Sequence, residues 1–340
     1  MRAGNFRNLK LRMKLASVTC GVYVLVASPM SSGWAVAQSS EPADFPKHAM
    51  TLISPLAAGG AVDVFARLLM EGYQARSGYA VTVENRAGGA GNIGIDAVRR
   101  APADGTILLI VPAGNLTINP TLFPNLTFDV QRDFAPIAIL GTAANLLVVG
   151  PSLGVKTIPE LIGKARQRPM TYGSPGVGSQ LHLAMELFKQ KTGLNITHVP
   201  YRGMAPALTD LLGGHIDVLV SNLPVVLPAL KDAKAVPLAL TTAERTPLAP
   251  EIPTLAEAGV AGIDVTSWYG LLAPRATPAP VINAIFAVTS EILASGEVRQ
   301  KLEIQGLSVK IEPPEMFADR IRRETAIWRE LIRQRNITVN

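Results

Sequence analysis

Two glycine-rich loops hold the residues with the clearest chemical use in this sequence. The first covers residues 53–63 and the second residues 171–182; in each, a strand pattern ends, small residues follow and a helix pattern begins. Glycine lets the backbone approach a ligand closely, and the first turn of a helix carries free N–H groups and a partial positive charge. Neither loop contains a lysine or an arginine. We therefore predict that main-chain amides, hydroxyls and water bind a carboxylate here.

Individual residues of the two loops also have purely structural interpretations. Asp63, in the first turn of its helix, complements the helix dipole, and Ser179 is an ordinary helix N-cap. His182 is more typical of a packed helix residue than of a ligand-binding one. Glycine-rich turns between strands and helices are common in α/β folds, so the functional interpretation depends on both loops facing one cleft.

A third glycine run matches the dinucleotide-binding fingerprint in outline. Gly89, Gly91 and Gly94 have the G-x-G-x-x-G spacing, follow a strand pattern and open a helix pattern. The acidic residue that binds the ribose should end the next strand, but residues 112–115 read Pro-Ala-Gly-Asn. The run also follows the second strand of its sheet rather than the first. We therefore predict that the protein binds no dinucleotide and no other cofactor.

The sequence lacks the motifs of common enzyme sites. It has no G-x-S-x-G nucleophile motif and no G-x-x-x-x-G-K-[ST] phosphate loop, and its four histidines do not have the spacing of metal ligands. We predict that the protein is not an enzyme and binds no metal. One alternative stays open, a hydrolase or transferase that uses Ser179 as nucleophile and His182 as base.

The first 37 residues have the composition of a secretion signal. Five basic residues precede an apolar run from Leu15 to Ala27, and Ala35-Val36-Ala37 matches the signal peptidase pattern, so we predict cleavage after Ala37. The run contains Cys20, the only cysteine, so the mature chain has no thiol. Of the 32 lysines and arginines the leader carries five and of the 26 acidic residues none, which leaves 27 against 26. This balance gives no indication of nucleic-acid binding.

The elements that must position the two loops follow from the hydrophobic pattern. From residue 49 to 111 the pattern alternates strand and helix, which indicates a parallel sheet with helices on both faces. A second series runs from residue 135 to 241, and from Pro278 onward the pattern is mainly helical. The mature length is enough for two domains. No Ser/Gly linker separates the two series, so we expect crossing strands rather than a flexible tether.

Ordered motifs match one known family along essentially the whole mature chain. They lie at residues 55–63 (P-x-x-x-G-G-x-x-D), 84–94, 103–106, 119–120, 172–179, 199–203, 210–217, 252–259 and 268–270. On these motifs the chain resembles the solute receptors of tripartite tricarboxylate transporters, the Bug-type receptors. The resemblance assigns the G-x-G-x-x-G run to a structural turn.

The resemblance implies an α/β fold of the periplasmic-binding-protein type, a Venus flytrap with two α/β domains joined by crossing strands. The organisation that we expect is a signal peptide at 1–37, a disordered lead-in at 38–47, domain 1 at 48–143 and 267–340, and domain 2 at 144–266. Such a protein closes on its ligand by a hinge.

The resemblance also implies which residues contact the ligand. They are Ala58, Gly59, Gly60, Asp63, Asn115, Thr117, Gly176, Gly178, Ser179, Ser221 and Asn222. Residues 56–58, Leu-Ala-Ala, depart from the proline or aromatic residue that is common in this loop of the family, which changes the expected local water pattern.

The function that the resemblance implies is solute capture in the periplasm. We expect a monomer that binds a small carboxylate and delivers it to the membrane permease subunits of a tripartite transporter, with no nucleic-acid partner. A sensor that passes the ligand signal to a histidine kinase is an alternative that the sequence does not separate from transport. The identity of the carboxylate is also left open.

Overall fold

The computed structural model describes residues 47–339. The predicted signal peptide, its cleavage site, Cys20 and residues 38–46 of the predicted lead-in lie outside the described residues, as does Asn340.

The described chain alternates strands and helices. The strands are β1 (Met50–Ser54), β2 (Val81–Asn85), β3 (Ile107–Pro112), β4 (Phe134–Ala143), β5 (Asn145–Val149), β6 (Thr171–Ser174), β7 (Thr197–Pro200), β8 (Val218–Asn222), β9 (Val236–Leu240), β10 (Ser267–Pro274) and β11 (Ser308–Glu312). The helices are α1 (Ala61–Ser77), α2 (Asn92–Arg99), α3 (Ala113–Thr117), α4 (Asn119–Leu122), α5 (Val130–Asp133), α6 (Ile158–Gln167), α7 (Gln180–Thr192), α8 (Met204–Leu212), α9 (Leu223–Lys231), α10 (Ala279–Ala294), α11 (Gly296–Ile304) and α12 (Pro314–Gln334).

The first lobe is organised around a six-stranded sheet of order β11-β4-β10-β3-β1-β2. The strands β1, β2 and β3 are parallel, and β10 runs antiparallel to both of its neighbours, so the sheet is mixed rather than purely parallel as its first three strands predict. Helix α1 packs its apolar stripe on this sheet through the buried side chains of Phe65 and Leu69. It ends at Gly78, whose φ of +74° is the left-handed conformation typical of a helix C-cap glycine.

The second lobe is organised around a five-stranded sheet of order β7-β6-β8-β5-β9. The strands β6, β7 and β8 are parallel, while β5 runs antiparallel to β8 and β9. Strand β5 is buried at all five positions, as expected for an apolar run covered on both faces. Helix α7 begins directly after the loop that follows β6.

The chain crosses between the lobes at two adjacent points. Strand β4 of the first sheet ends at Ala143 and β5 of the second begins at Asn145. The return crossing lies between Val265 and Ser267, where β10 begins. The fully buried side chain of Asn145 links the two crossings, because its Nδ2 donates to the carbonyl of Val265 at 3.0 Å. The prediction of two α/β lobes joined by crossing strands is confirmed.

The last helix, α12, contributes to the cores of both lobes. Phe317 and Ile321 pack with the first lobe, whereas Trp328, Leu331 and Ile332 lie in the main core of the second. The expected organisation places all of 267–340 in domain 1, so the second half of this helix departs from it. The apolar side chains of α12 thus face two cores in succession along the helix.

Within residues 47–339 no single helix is long and apolar enough to span a membrane. The pair α10 and α11, bent by 70° at the break between them, passes the same length and composition test when taken together.

Candidate ligand-binding cleft

A cavity of about 750 Å³ lies between the two lobes and is lined by both. Seven of the sequence-predicted contact residues line it: Gly59, Gly60, Asn115, Gly176, Gly178, Ser179 and Asn222. The two glycine-rich loops therefore face one cleft, which is the condition that the functional interpretation required.

The first loop presents the amino end of α1 to the cleft. Gly60 precedes the helix in an extended conformation, with φ −89° and ψ 175°, and Ala61 and Val62 of the first helical turn line the cavity with it. First-turn amides have no partner inside their own helix, so they are available to a ligand. The amide of Gly59 is different, because it donates to Oδ2 of Asp63 at 3.1 Å.

Asp63 fixes the first loop from behind rather than lining the cavity. The residue is 5% exposed, and its carboxylate accepts hydrogen bonds from Gly59, from Arg67 at 2.9 Å and from Asn85 at 3.3 Å. Burial acts to raise the pKa of Asp63, but these hydrogen bonds outweigh it, and the pKa is lowered. The carboxylate thus stays ionised and holds the loop in shape.

The second loop presents the amino end of α7 from the opposite lobe. Ser179 caps this helix: its Oγ accepts from the amide of His182 at 3.1 Å and donates to the carbonyl of Gly176 at 2.8 Å. Gly176 and Gly178 have φ values of +136° and +77°, which side chains rarely tolerate. At Gly178 a Cβ would also lie 2.1 Å from Cδ1 of Leu122 in the first lobe. Glycine at 178 therefore permits close contact between the lobes.

Two stacked histidines hold the second loop from inside its lobe. The rings of His182 and His198 lie 4.0 Å apart between centroids. Nδ1 of His182 accepts from the amide of Gly178 at 3.0 Å, and Nε2 of His198 lies 2.7 Å from Oγ of Ser174. Burial lowers the pKa of each histidine to about 4, so both rings are neutral at pH 7.

This geometry does not form a nucleophile–base pair. Oγ of Ser179 is bonded to main-chain groups, and Nδ1 of His182 is occupied by the amide of Gly178. The interpretation of Ser179 as an N-cap and of His182 as a packed helix residue describes the structure.

The G-x-G-x-x-G run forms a tight turn beside the cleft. Ala90 lines the cavity with a φ of +54°, and its carbonyl accepts from Nδ2 of Asn115 at 2.7 Å and of Asn119 at 3.0 Å. Gly91 has a φ of +88°, and a Cβ there would lie 2.4 Å from Nδ2 of Asn115. The run is thus a structural turn that positions two asparagines of the cleft wall.

Four of the predicted contact residues lie outside the cavity lining: Ala58, Asp63, Thr117 and Ser221. The hydroxyl of Thr117 is fully buried and donates to the carbonyl of Ala113 at 3.0 Å. That of Ser221 is also fully buried and donates to the carbonyl of Asn222 at 3.1 Å. The side chains of Thr117 and Ser221 therefore point into their own lobe.

Several lining residues were missed by the sequence prediction, notably Asn119, Gln180, Ser267 and Trp268. Gln180 is the first residue of α7, and Ser267 begins β10 at the return crossing. The signal for Gln180 was its place beside a predicted N-cap, where a side chain must face the same space as the free amides. Ser267 carries no such local signal, because its position depends on how the two lobes meet.

Trp268 forms part of the cleft wall and is fixed from behind. Its indole N–H donates to both carboxylate oxygens of Glu324 on α12, each at 2.9 Å. Arg320 forms an ion pair with the same carboxylate. Burial raises the pKa of Glu324 to about 7 despite these two partners, with a further contribution from Asp264.

Among residues 47–339, no lysine, arginine, histidine, aspartate or glutamate contributes to the lining of the cleft. Its electrostatic character within the described chain therefore comes from the amino ends of α1 and α7. Both ends carry partial positive charge and free donors, so the cleft favours an anion.

Comparison with known proteins agrees with this geometry. A family model described as tripartite tricarboxylate transporter family receptor matches residues 65–337. BugT of Bordetella pertussis is 32% identical over 293 residues, which cover 85% of this chain and 90% of BugT.

Solved structures give the same result. R. palustris Rpa4515 with adipate has 35% identity and a TM-score of 0.76, over 86% of this chain and 99% of that one. MatC from Rhodopseudomonas palustris with bound malate has 29% identity and a TM-score of 0.72, over 85% of this chain and 100% of that one. The predicted periplasmic-binding-protein fold of the Venus flytrap type is confirmed.

Proposed function

This chain belongs to the receptor family of tripartite tricarboxylate transporters, a family of periplasmic solute receptors, and on that premise we propose that it captures a small carboxylate between its lobes and delivers it to the membrane subunits of such a transporter. The leader composition of residues 1–37 supports a place in the periplasm. No chemical step on the solute belongs to this function.

One observation carries the proposal: two helix amino ends from opposite lobes line one cavity, to which the described part of the chain contributes no charged side chain. Donors at Gly60, Ala61 and Val62 face the cavity from the first lobe, and the first turn of α7 faces it from the second. A carboxylate that bridges the two sets gains hydrogen bonds from both lobes. The bound relatives support this class of ligand, since Rpa4515 holds adipate and MatC holds malate.

Ligand capture then follows from the hinge. A ligand shifts a conformational equilibrium only by its differential affinity for the two states. An anion that contacts α1 alone would leave the lobes free, whereas one that contacts α1 and α7 favours the closed state. The transporter subunits would recognise that closed arrangement of the two lobes, which links delivery to occupancy.

The proposal is tested by calorimetry on the mature protein with a panel of C4 to C6 and aromatic carboxylates. Gly60→Val is the informative variant, because Gly60 has a φ of −89° and a Cβ there meets no atom within 4 Å. The valine should leave the fold intact and cover the first-turn amides, which should abolish binding.

The matched control is Gly296→Val, since Gly296 begins α11, has open space around it and lies outside the cavity lining. Its affinity should equal that of the wild type. A folded wild-type protein that binds no carboxylate in the panel contradicts the proposed function, as does a Gly60→Val variant that binds normally.

A further inference from the structure

The side-chain amide of Asn119, on the first lobe, has a single possible orientation. A main-chain carbonyl can only accept a hydrogen bond, so an amide side chain bonded to it must turn its NH2 group towards it. Nδ2 of Asn119 donates to the carbonyl of Ala90 at 3.0 Å and to Oδ1 of Asn92 at 2.8 Å. Both N–H groups are therefore used. Asn119 is 8% exposed and lines the cleft, so it offers the cleft only its oxygen.

Asn222, on the second lobe, also has a fixed amide orientation, which is set through Asn145. The carbonyl of Val265 fixes Nδ2 of Asn145, which turns Oδ1 of Asn145 towards Asn222. Nδ2 of Asn222 donates to that oxygen at 2.6 Å and to Oγ of Ser267 at 3.0 Å. Both amide hydrogens of Asn222 are used, and its Oδ1 is left as an acceptor on the cleft.

Gln180 adds a third acceptor beside the amino end of α7. Its Nε2 donates to the carbonyl of Thr266 at 3.1 Å, which fixes the amide, and its Oε1 lies 3.0 Å from Oγ of Ser267, whose single hydrogen it shares with Oδ1 of Asn145. A carbonyl oxygen has two lone pairs, so one remains. The cleft thus offers main-chain donors at two helix ends. Of its side-chain amides, Asn115 and Gln180 each use one of two hydrogens, and Asn119 and Asn222 use both and so present only acceptors.

A carboxylate with no other polar group can pair with the main-chain donors but not with the amide oxygens, because it has no hydrogen to donate. An ammonium group would donate, but it would lose its water next to two positive helix ends with no carboxylate to pair with, which is costly. A hydroxyl donates without carrying charge. On the basis of the proposed function, we propose that the ligand is a hydroxycarboxylate, whose hydroxyl donates to an amide oxygen of Asn119 or Asn222.

The test compares matched ligands that differ only at the substituent. Calorimetry on the wild-type mature protein uses malate, succinate and aspartate; 2-hydroxyglutarate, glutarate and glutamate; and mandelate, phenylacetate and phenylglycine. In the series that fits the cleft, we expect the hydroxy member to bind at least about tenfold more tightly than the unsubstituted member, because an unpaired buried acceptor penalises the latter. The amino member should be the weakest.

Variants separate recognition from support of the cleft wall. Asn119→Leu and Asn222→Leu should reduce the affinity ratio of hydroxy to unsubstituted ligand towards one. Asn125→Leu, at an exposed asparagine outside the cleft lining, should leave the ratio unchanged. If both asparagine variants of the cleft weaken the two ligands by the same factor, the residues only support the wall and the proposal is wrong.

The outcomes also separate this proposal from the proposed function. If unsubstituted members bind as tightly as hydroxy members in every series, carboxylate capture stands and the hydroxyl assignment is overturned. If an amino member binds most tightly, the acceptors hold an ammonium group and the assignment is again overturned. If no ligand of any series binds the folded protein, the proposed function itself fails.

Discussion

Replacing Gly91 with alanine tests whether the glycine turn positions the cleft wall. Gly91 has a φ of +88°, and the new Cβ would lie 2.4 Å from Nδ2 of Asn115 and 3.5 Å from Cβ of Pro55. Asn115 is 8% exposed and bonded to the carbonyl of Ala90 at 2.7 Å, so it cannot move without losing that bond. Gly78 provides the matched control, because its φ is +74° but a Cβ there meets nothing within 4 Å.

The magnitudes follow from these two environments. A left-handed alanine costs about 1–2 kcal/mol, and the lower entropy of the unfolded alanine chain offsets about 0.4–1 kcal/mol of that. Gly78→Ala should therefore lose about 1 kcal/mol of unfolding free energy. Gly91→Ala should lose about 3–5 kcal/mol, because to the same backbone cost overpacking adds about 1–3 kcal/mol and the broken hydrogen bond about 1 kcal/mol.

Urea unfolding followed by tryptophan fluorescence measures both variants, and calorimetry with the best-bound carboxylate measures the cleft. Gly91→Ala should also weaken ligand binding, since Asn115 lines the cavity, whereas Gly78→Ala should bind as the wild type does. Equal loss of stability in the two variants would refute the close packing of Asn115 on the turn. Unchanged affinity in a destabilised Gly91→Ala protein would refute the link between the turn and the cleft wall.

Three further predictions concern strain and pH. Ala90 and Ala233 have φ values of +54° and +53°, so the change of either to glycine should raise the unfolding free energy by up to about 1 kcal/mol. Only Ala90→Gly, at the cavity, should alter carboxylate affinity in calorimetry. A destabilised Ala233→Gly protein would contradict the inference that alanine is strained there. Burial raises the pKa of Glu324 from 4.5 to about 7. As the pH rises, the carboxyl group therefore loses its proton in the unfolded chain before it does in the folded protein, and the wild type loses about 3 kcal/mol of unfolding free energy between pH 4.5 and pH 7. Urea unfolding at a series of pH values should show no such loss for Glu324→Gln. If the unfolding free energies of variant and wild type change with pH in parallel, Glu324 does not have a raised pKa. Burial lowers the pKa of His182 and His198 from 6.5 to about 4. As the pH falls below 6.5, the histidines therefore take up protons in the unfolded chain before they do in the folded protein, and the unfolding free energy falls by about 2 kcal/mol per histidine at pH 5. His198→Asn should lose less unfolding free energy than the wild type between pH 7 and pH 5, and an equal loss counts against a buried neutral ring.

The sequence was most informative where function depends on the backbone. Gly59, Gly60, Gly176 and Gly178 were found because a small-residue turn between a strand and a helix is visible in the local sequence, wherever the opposite lobe lies. Side-chain direction was harder to predict. Thr117 and Asn119 are two residues apart, yet the hydroxyl of Thr117 turns into its lobe and the amide of Asn119 faces the cleft. That difference depends on the two short helices α3 and α4, for which the sequence has no periodic signal.

Contacts between distant segments were beyond local patterns. The network of Asn145, Asn222 and Ser267 joins residues up to 122 positions apart and exists only once both crossings have formed. Strand β11 was missed within a segment that is otherwise helical, although its five residues, Ser-Val-Lys-Ile-Glu, alternate between polar and apolar as a short strand does. Its identity as a strand depends on pairing with β4.

The position of α12 has a consequence for how the chain is made and divided. Residues 144–266 supply every strand of the second sheet, but Trp328, Leu331 and Ile332 from the end of the chain complete its core. An excised middle segment would expose that apolar surface and should aggregate unless the terminal helix is supplied in trans. During synthesis the core of the second lobe cannot be completed before residues 328–332 have emerged, well after β9, the last strand of its sheet, has been made.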